Sequence, residues 1–132
     1  MHTSVCLQWF RLLLIFLKIY TTHTPHPDYC IMMNDLILRR FTVGSFPING
    51  YLVADPTTRI GAFIDPGGFS KEIEDFVQER QILLRYLFIT HGHWDHTEGL
   101  TEFVRRYQLQ SYAGEGEVDA VSHSLQGGEI IE

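Results

Sequence analysis

From residue 36 onward, the chain alternates short apolar runs with turn residues, which predicts several strands. The run "LILRRFTVG" at 36–44 predicts a strand that ends at Gly44. Two further strands are predicted near 50–54 and 60–64, and the Asp-Pro-Thr-Thr sequence at 55–58 predicts the turn that joins them. The first part of this region therefore reads as a set of hairpins.

After the hairpins, the spacing of apolar residues alternates between that of helices and that of strands. Ser70 has the chemistry of an N-cap, and the residues that follow predict a helix over 71–80 with one apolar face. The continuous run "YLFIT" predicts a buried strand at 86–90, "EGLTEFVRRYQ" at 98–108 predicts an amphipathic helix, and "LQSYA" at 109–113 predicts another strand.

The end of the chain is patterned less clearly. "EGEVDAVSHSL" at 115–125 predicts a short helix, and "GEIIE" at 128–132 predicts the start of a last strand. Hairpins followed by alternating strands and helices indicate an α/β fold with helices packed outside the sheet.

Residues 1–33 differ from the rest, so we place the domain at 34–132. The apolar stretch "VCLQWFRLLLIFLKIY" is interrupted by Arg11 and Lys18, which leaves it far short of the roughly 20 residues that a membrane span needs. Three interpretations stay open: a signal-like or membrane-associating segment, an extra helix packed on the domain, and a segment outside the fold with the true start at Met32 or Met33.

The length, charge and cysteine content of the chain exclude some kinds of function. The chain has 132 residues, a formal net charge of −6 and two cysteines. This size favours one domain, and the acidic balance argues against a nucleic-acid partner. Cys6 and Cys30 form no C-x-x-C pair, which argues against a disulfide framework and fits a cytoplasmic setting. A membrane partner is likewise disfavoured.

The stretch "THGHWDHTEG" at 90–99 carries the candidate chemistry. It places His91, His93, Asp95 and His96 between a predicted buried strand and a predicted helix. Imidazole nitrogen and carboxylate oxygen are suitable zinc ligands. His91 and His93 alternate and can face one metal, whereas the adjacent Asp95 and His96 can reach a second one. The spacing predicts a metal site, and Gly92 would let the backbone turn closely around the ions.

At these residues the chain resembles the metallo-β-lactamase fold superfamily, whose signature is H-x-H-x-D-H. The segments "FPINGYLVAD", "GAFIDPGG" and "LFITHGHWDHTEGL" are similar, in order and spacing, to the N-terminal half of glyoxalase II-like (hydroxyacylglutathione hydrolase-like) hydrolases. The resemblance covers about residues 36–132 and implies an α/β fold of the αββα sandwich type.

The resemblance also implies roles for individual residues. His91 and His93 would bind a first zinc ion, and Asp95 and His96 would bind a second. Asp95 would in addition act catalytically by orienting the attacking hydroxide. Asp65 matches the aspartate that supports the metal loop from behind, although on turn chemistry alone it reads equally well as a residue that ends a strand. Two Zn²⁺ ions per complete site are implied, with iron or manganese as alternatives.

The chain departs from the family after His96. The family's T-P-G-H stretch, its G-D aspartate and its final histidine have no counterpart here, and the one later histidine, His123, lies in "VSHSL". The resemblance therefore implies only the first αβ half of the sandwich, truncated at the C-terminus. An apolar sheet face that lacks its second sheet would favour self-association.

The function implied is metal-dependent hydrolysis of small-molecule esters or thioesters, impaired in a truncated chain. The alternatives are a non-catalytic metal-binding fragment or interaction module, and an iron-dependent oxidoreductase similar to persulfide dioxygenases. Trp94 is expected to pack against the helix that follows it rather than to line a substrate site.

Overall fold

The computed structural model of the protein describes residues 30–33 and 36–131, and a single mixed sheet organises them. Seven strands and three helices are present in this part of the chain. The strands are β1 (Cys30–Met33), β2 (Leu36–Val43), β3 (Ile48–Ala54), β4 (Ile60–Ile64), β5 (Leu83–Ile89), β6 (Gln110–Gly114) and β7 (His123–Leu125). The helices are α1 (Lys71–Glu79), α2 (Trp94–Thr97) and α3 (Leu100–Tyr107).

The strand order in the sheet follows the chain from β1 to β7. The first four strands pair antiparallel, and β4, β5, β6 and β7 pair parallel. Parallel neighbours need crossover connections, and α1 and α3 provide two of them. The sheet lies within the compact unit that spans Asp28–Gly127. The predicted order of hairpins first and α/β alternation later is confirmed.

The predicted helix at 71–80 is α1. Ser70 is extended, with φ −138° and ψ 157°, and its side chain accepts a hydrogen bond from the Ile73 backbone N–H. An N-cap of this kind satisfies one of the donors that the first turn leaves free. The helix buries Ile73, Phe76 and Val77, which are the residues that its apolar period predicts.

The hydrophobic core lies between one face of the sheet and the helices. Phe63 on β4 is fully buried, and its ring centroid lies 4.5 Å from that of Phe103 on α3 and 6.0 Å from that of Phe41 on β2. On the opposite face of the sheet, Val53 and Ala62 are also buried. The self-association expected from an uncovered sheet face stays a prediction.

The predicted helix at 115–125 is wrong. This segment forms turns and then β7, which pairs parallel with β6. Ser111 and Ser122 explain the difference: the Ser122 backbone N–H donates to the Ser111 hydroxyl at 2.9 Å, which fixes the segment to the sheet. Gly116 has φ +77°, a left-handed conformation that interrupts a helix.

The predicted last strand at 128–132 is also wrong in the part that the structure describes, since 128–131 form no regular element. By contrast, the short helix α2 was not predicted from the sequence. Its four residues are too few to show a helical period, so no pattern could have revealed it.

The N-terminal predictions can be compared with the structure at only four residues. Cys30–Met33 pair antiparallel with β2, so the end of the segment predicted to precede the domain contributes an edge strand. The predictions for residues 1–29 lie outside the described residues. In the described part of the chain, no helix has the length and apolarity that crossing a bilayer requires.

Candidate metal centre

The histidine loop follows β5 and lies beside the end of β4. These two strands pair parallel, so their carboxyl ends meet at the same edge of the sheet. The backbone N–H of Asp65, the first residue after β4, donates to the Phe88 carbonyl at 2.8 Å. This pairing brings Asp65 next to Thr90, the residue that precedes the first histidine.

Three imidazoles gather in this loop. The ring centroids of His91 and His96 are 4.0 Å apart, and those of His91 and His93 are 4.6 Å apart. His91 and His96 are half-buried, whereas His93 is exposed. Asp95 is half-buried in the first turn of α2, next to His96. The structure therefore groups the three histidines around His91.

Asp65 holds the start of the histidine loop at two points. Its side chain is buried, at 5% exposure, and its backbone has φ +56°. One carboxylate oxygen accepts the Thr90 backbone N–H at 2.8 Å, and the other accepts the Thr90 hydroxyl at 2.7 Å. Aspartate tolerates the left-handed conformation better than most residues do, and two charge-assisted hydrogen bonds stabilise it here.

Thr90 in turn determines which His91 nitrogen carries the proton. The Thr90 hydroxyl has one proton and donates it to Asp65. The same oxygen lies 2.9 Å from His91 Nδ1, so it accepts a proton from that nitrogen. A His91 ring protonated at Nδ1 has its lone pair on Nε2, which is then the atom free to bind a metal. Sequence reasoning missed this role of Thr90.

Replacing Thr90 with valine should disturb this hydrogen-bonded chain. Valine has a similar shape, but its side chain neither donates nor accepts, so Asp65 Oδ2 loses its hydroxyl donor and His91 Nδ1 loses its acceptor. The backbone N–H at position 90 still donates to Asp65 Oδ1. We expect the free energy of unfolding in urea to fall by about 1–2 kcal/mol. We also expect ¹⁵N NMR of the imidazole to show that His91 loses its preference for the Nδ1-protonated form. Thr90→Ser keeps the hydroxyl and should behave like the parent chain; an equal effect of both changes would contradict this role.

His96 has a buried ring nitrogen, Nδ1, that neither accepts nor donates a hydrogen bond within residues 36–131. Its Nδ1 lies 3.1 Å from Asp65 Oδ2, but the orientation makes no hydrogen bond. Buried polar atoms are nearly always paired in folded proteins, so an unpaired imidazole nitrogen beside a carboxylate points to a functional site.

The sequence matches a known family over most of this fold. Residues 43–129, about two thirds of the chain, match the family model described as the Metallo-beta-lactamase superfamily. The chain belongs to this superfamily. Proteins of this superfamily are in general metal-binding hydrolases.

Curated proteins named as hydrolases are similar to this metallo-β-lactamase domain in sequence. A hydroxyacylglutathione hydrolase-like protein of Gallus gallus is 33% identical over 76 residues, which are 57% of this chain and 27% of the relative. A probable metallo-hydrolase, YqgX, of Bacillus subtilis strain 168 is 30% identical over 95 residues, or 70% of this chain and 44% of the relative. The chain thus spans less than half the length of either relative.

Solved structures show the same fold. ETHE1 from Myxococcus xanthus has a TM-score of 0.58 and 22% identity, covering 73% of this chain and 43% of that one. A metallo-beta-lactamase from Staphylococcus aureus subsp. aureus COL has a TM-score of 0.56 and 18% identity, covering 66% of this chain and 25% of that one. The predicted fold class, part of a metallo-β-lactamase sandwich, is confirmed.

The residues of this metallo-β-lactamase domain fit a metal in their chemistry but complete no coordination set. Three imidazoles and a carboxylate are ligands that zinc takes, and the unpaired His96 nitrogen is consistent with a site. Within residues 36–131, however, no three His, Cys, Asp or Glu side chains converge closely enough to hold an ion. The described part of the domain therefore brings suitable ligand types near one another without completing a coordination set.

An exposed aromatic pair stands next to the histidine loop. Trp94 and Phe46 contact each other edge to face, with ring centroids 5.2 Å apart and exposures of 58% and 63%. Trp94 therefore contacts the β2–β3 loop, whereas the sequence predicted packing on the following helix. Ser45 fixes that loop by donating its backbone N–H and its hydroxyl to Glu98, and these hydrogen bonds hold the pKa of Glu98 below its usual range.

The turn after β6 contacts the histidine loop at Gly92. The Gly92 backbone N–H donates to Glu117 Oε2 at 2.9 Å. A Cβ atom at position 92 would lie 2.0 Å from the Glu117 carbonyl oxygen, so only glycine fits. The sequence predicts that Gly92 lets the backbone turn closely around the ions. In the structure, the absence of a side chain at Gly92 makes room for the neighbouring loop. Glu117 was missed because no local pattern links residues in two different loops.

Proposed function

We propose that this chain carries part of the metal centre of a glyoxalase II-like hydrolase that acts on small-molecule esters or thioesters. The observation that carries the proposal is the gathering of three imidazoles at the end of β5. A curated relative from Saccharophagus degradans, named hydroxyacylglutathione hydrolase, is 31% identical over 74 residues and supports the thioester class. We also keep a cytoplasmic setting as part of this proposal.

The proposed roles follow the family signature. His91 and His93 would hold a first metal ion, zinc in our proposal, and Asp95 and His96 would hold a second. When bound, the metal supplies Lewis acidity, which makes water acidic enough to react near neutral pH and polarises a carbonyl oxygen. Asp95, half-buried on α2 beside His96, would orient the attacking water.

The residues behind the ligands have a separate task. Asp65 and Thr90 fix the start of the loop and present His91 with Nε2 free. These contacts are present in the fold itself. The His91 ring is therefore already in the Nδ1-protonated tautomer, and metal binding requires no further free energy to select it. Holding ligands in this way typically changes metal affinity 10–100-fold.

The number of ligands that the described residues supply predicts how well the isolated chain binds metal. Catalytic zinc sites usually have three protein ligands per metal, and among the described residues no three His, Cys, Asp or Glu side chains converge closely enough to hold one ion. We therefore expect the 132-residue chain to bind metal weakly and to hydrolyse substrates slowly. A non-catalytic metal-binding fragment is the outcome if metal binds but no hydrolysis follows.

The test is a Co²⁺ titration of the purified chain, followed by visible absorption, together with hydrolysis of a glutathione thioester. We expect His93→Ala to lower Co²⁺ affinity at least about tenfold and to remove any hydrolysis. His123→Ala removes an exposed histidine on β7, outside the histidine loop, and should change neither measurement. Absence of Co²⁺ binding by the parent chain, or equal effects of the two substitutions, would contradict the proposal.

Iron chemistry is the second candidate. The sequence resemblance leaves open an iron-dependent oxidoreductase similar to persulfide dioxygenases, and the fold of ETHE1 is among the similar structures. At 22% identity that likeness shows the fold alone. Metal analysis of the purified protein separates the candidates, since stoichiometric iron would favour the second and zinc the first.

A further inference from the structure

Glu117 lies in a turn that the parallel sheet places beside the histidine loop. β5 and β6 are parallel neighbours, with Ile89 opposite Ala113, so the loops that leave their carboxyl ends are adjacent. The Glu117 backbone N–H donates to the Gly114 carbonyl at 3.1 Å, which closes the turn directly after β6. The position of Glu117 is therefore set by the strand next to the one that carries the histidines.

The contact from Glu117 reaches the one residue between His91 and His93. Its carboxylate accepts the Gly92 backbone N–H at 2.9 Å, while its carbonyl oxygen occupies the space where a side chain at position 92 would stand. A charged acceptor forms a stronger hydrogen bond than a neutral one. Side chain and backbone of Glu117 thus both restrict the peptide that separates the two imidazoles.

Glu117 contacts the loop between its two fixed ends. Thr90 is fixed by Asp65 at the start of the loop, and α2 begins at Trp94. The peptide between these points determines how far apart the rings of His91 and His93 stand, and ligand groups must be placed to a fraction of an ångström for tight metal binding.

We propose that Glu117 is a positioning residue, which fixes the Gly92 peptide and thereby the relative placement of His91 and His93. This inference rests on the proposed function for its effect on metal binding, but the contact itself is independent of any metal. Glu117 bonds the backbone, and its role is to restrict the loop rather than to react.

The test compares three variants of the full chain. Glu117→Ala removes the acceptor, Glu117→Gln keeps an acceptor oxygen without the charge, and Glu115→Ala removes a neighbouring exposed carboxylate in the same turn. We expect Glu117→Ala to lower Co²⁺ affinity about tenfold and to alter the visible spectrum. Glu117→Gln should recover most of the affinity, and Glu115→Ala should match the parent chain.

A second readout does not depend on metal. The Gly92 amide should exchange slowly with solvent in the metal-free parent chain and in Glu117→Gln, and quickly in Glu117→Ala, as measured by NMR. Unchanged exchange in Glu117→Ala would overturn the proposal, as would equal losses of Co²⁺ affinity in Glu117→Ala and Glu115→Ala. If the parent chain binds no Co²⁺, the proposed function fails, and the Gly92 amide still decides the role of Glu117.

Discussion

Replacing Phe63 with alanine is expected to lower the free energy of unfolding by about 3–5 kcal/mol. Phe63 is fully buried at the centre of the sheet face that α3 covers, against the rings of Phe41 and Phe103. Removing its ring leaves a cavity among side chains that are fixed by the sheet and the helix, so the space closes only in part. Urea denaturation monitored by circular dichroism measures the effect.

Phe46→Ala is the matched control for this prediction. It removes the same side chain from a position that is 63% exposed, so we expect a change of no more than about 0.5 kcal/mol. A loss for Phe63→Ala as small as that for Phe46→Ala would show that the core is not packed as the structure has it.

Asp65→Ala is expected to have the next largest effect, a loss of about 2–4 kcal/mol in the free energy of unfolding. The substitution removes two hydrogen bonds to a charged acceptor and leaves the Thr90 N–H without a partner in a partly buried place. Alanine also fits the left-handed backbone at this position less well than aspartate. The same urea titration measures the loss, and imidazole NMR should show that His91 is no longer held in one form.

Two other aspartate changes make the second prediction specific. Asp65→Asn keeps one carbonyl acceptor and tolerates the backbone conformation, so it should lose less stability than Asp65→Ala. Asp75→Ala removes an exposed ion pair with Lys71 and should change stability by no more than about 0.5 kcal/mol. Equal losses for Asp65→Ala and Asp75→Ala would contradict the supporting role of Asp65.

Much of the fold between β2 and β6 follows from local pattern. The strand predicted at 36–44 is β2, the helix at 98–108 contains α3, and the strand at 109–113 overlaps β6. These elements carry clear apolar periods, and each buries the face that its period defines. Prediction failed at 115–125, where a strand forms because Ser122 bonds to Ser111 of the neighbouring strand, a contact with no local signature.

The sequence by itself determined the donor chemistry of this protein, because H-x-H-x-D-H places histidines and a carboxylate within one short loop, and adjacency along the chain guarantees their proximity. Only the tertiary structure decided what holds that loop. Asp65 and Thr90 are 25 residues apart, as are Gly92 and Glu117, and Ser45 and Glu98 are 53 apart. The first two pairs meet because β4, β5 and β6 lie parallel and end at one edge of the sheet, whereas the third joins the β2–β3 loop to the residue that follows α2. Strand pairing of this kind depends on the whole fold, and no local window of sequence contains it.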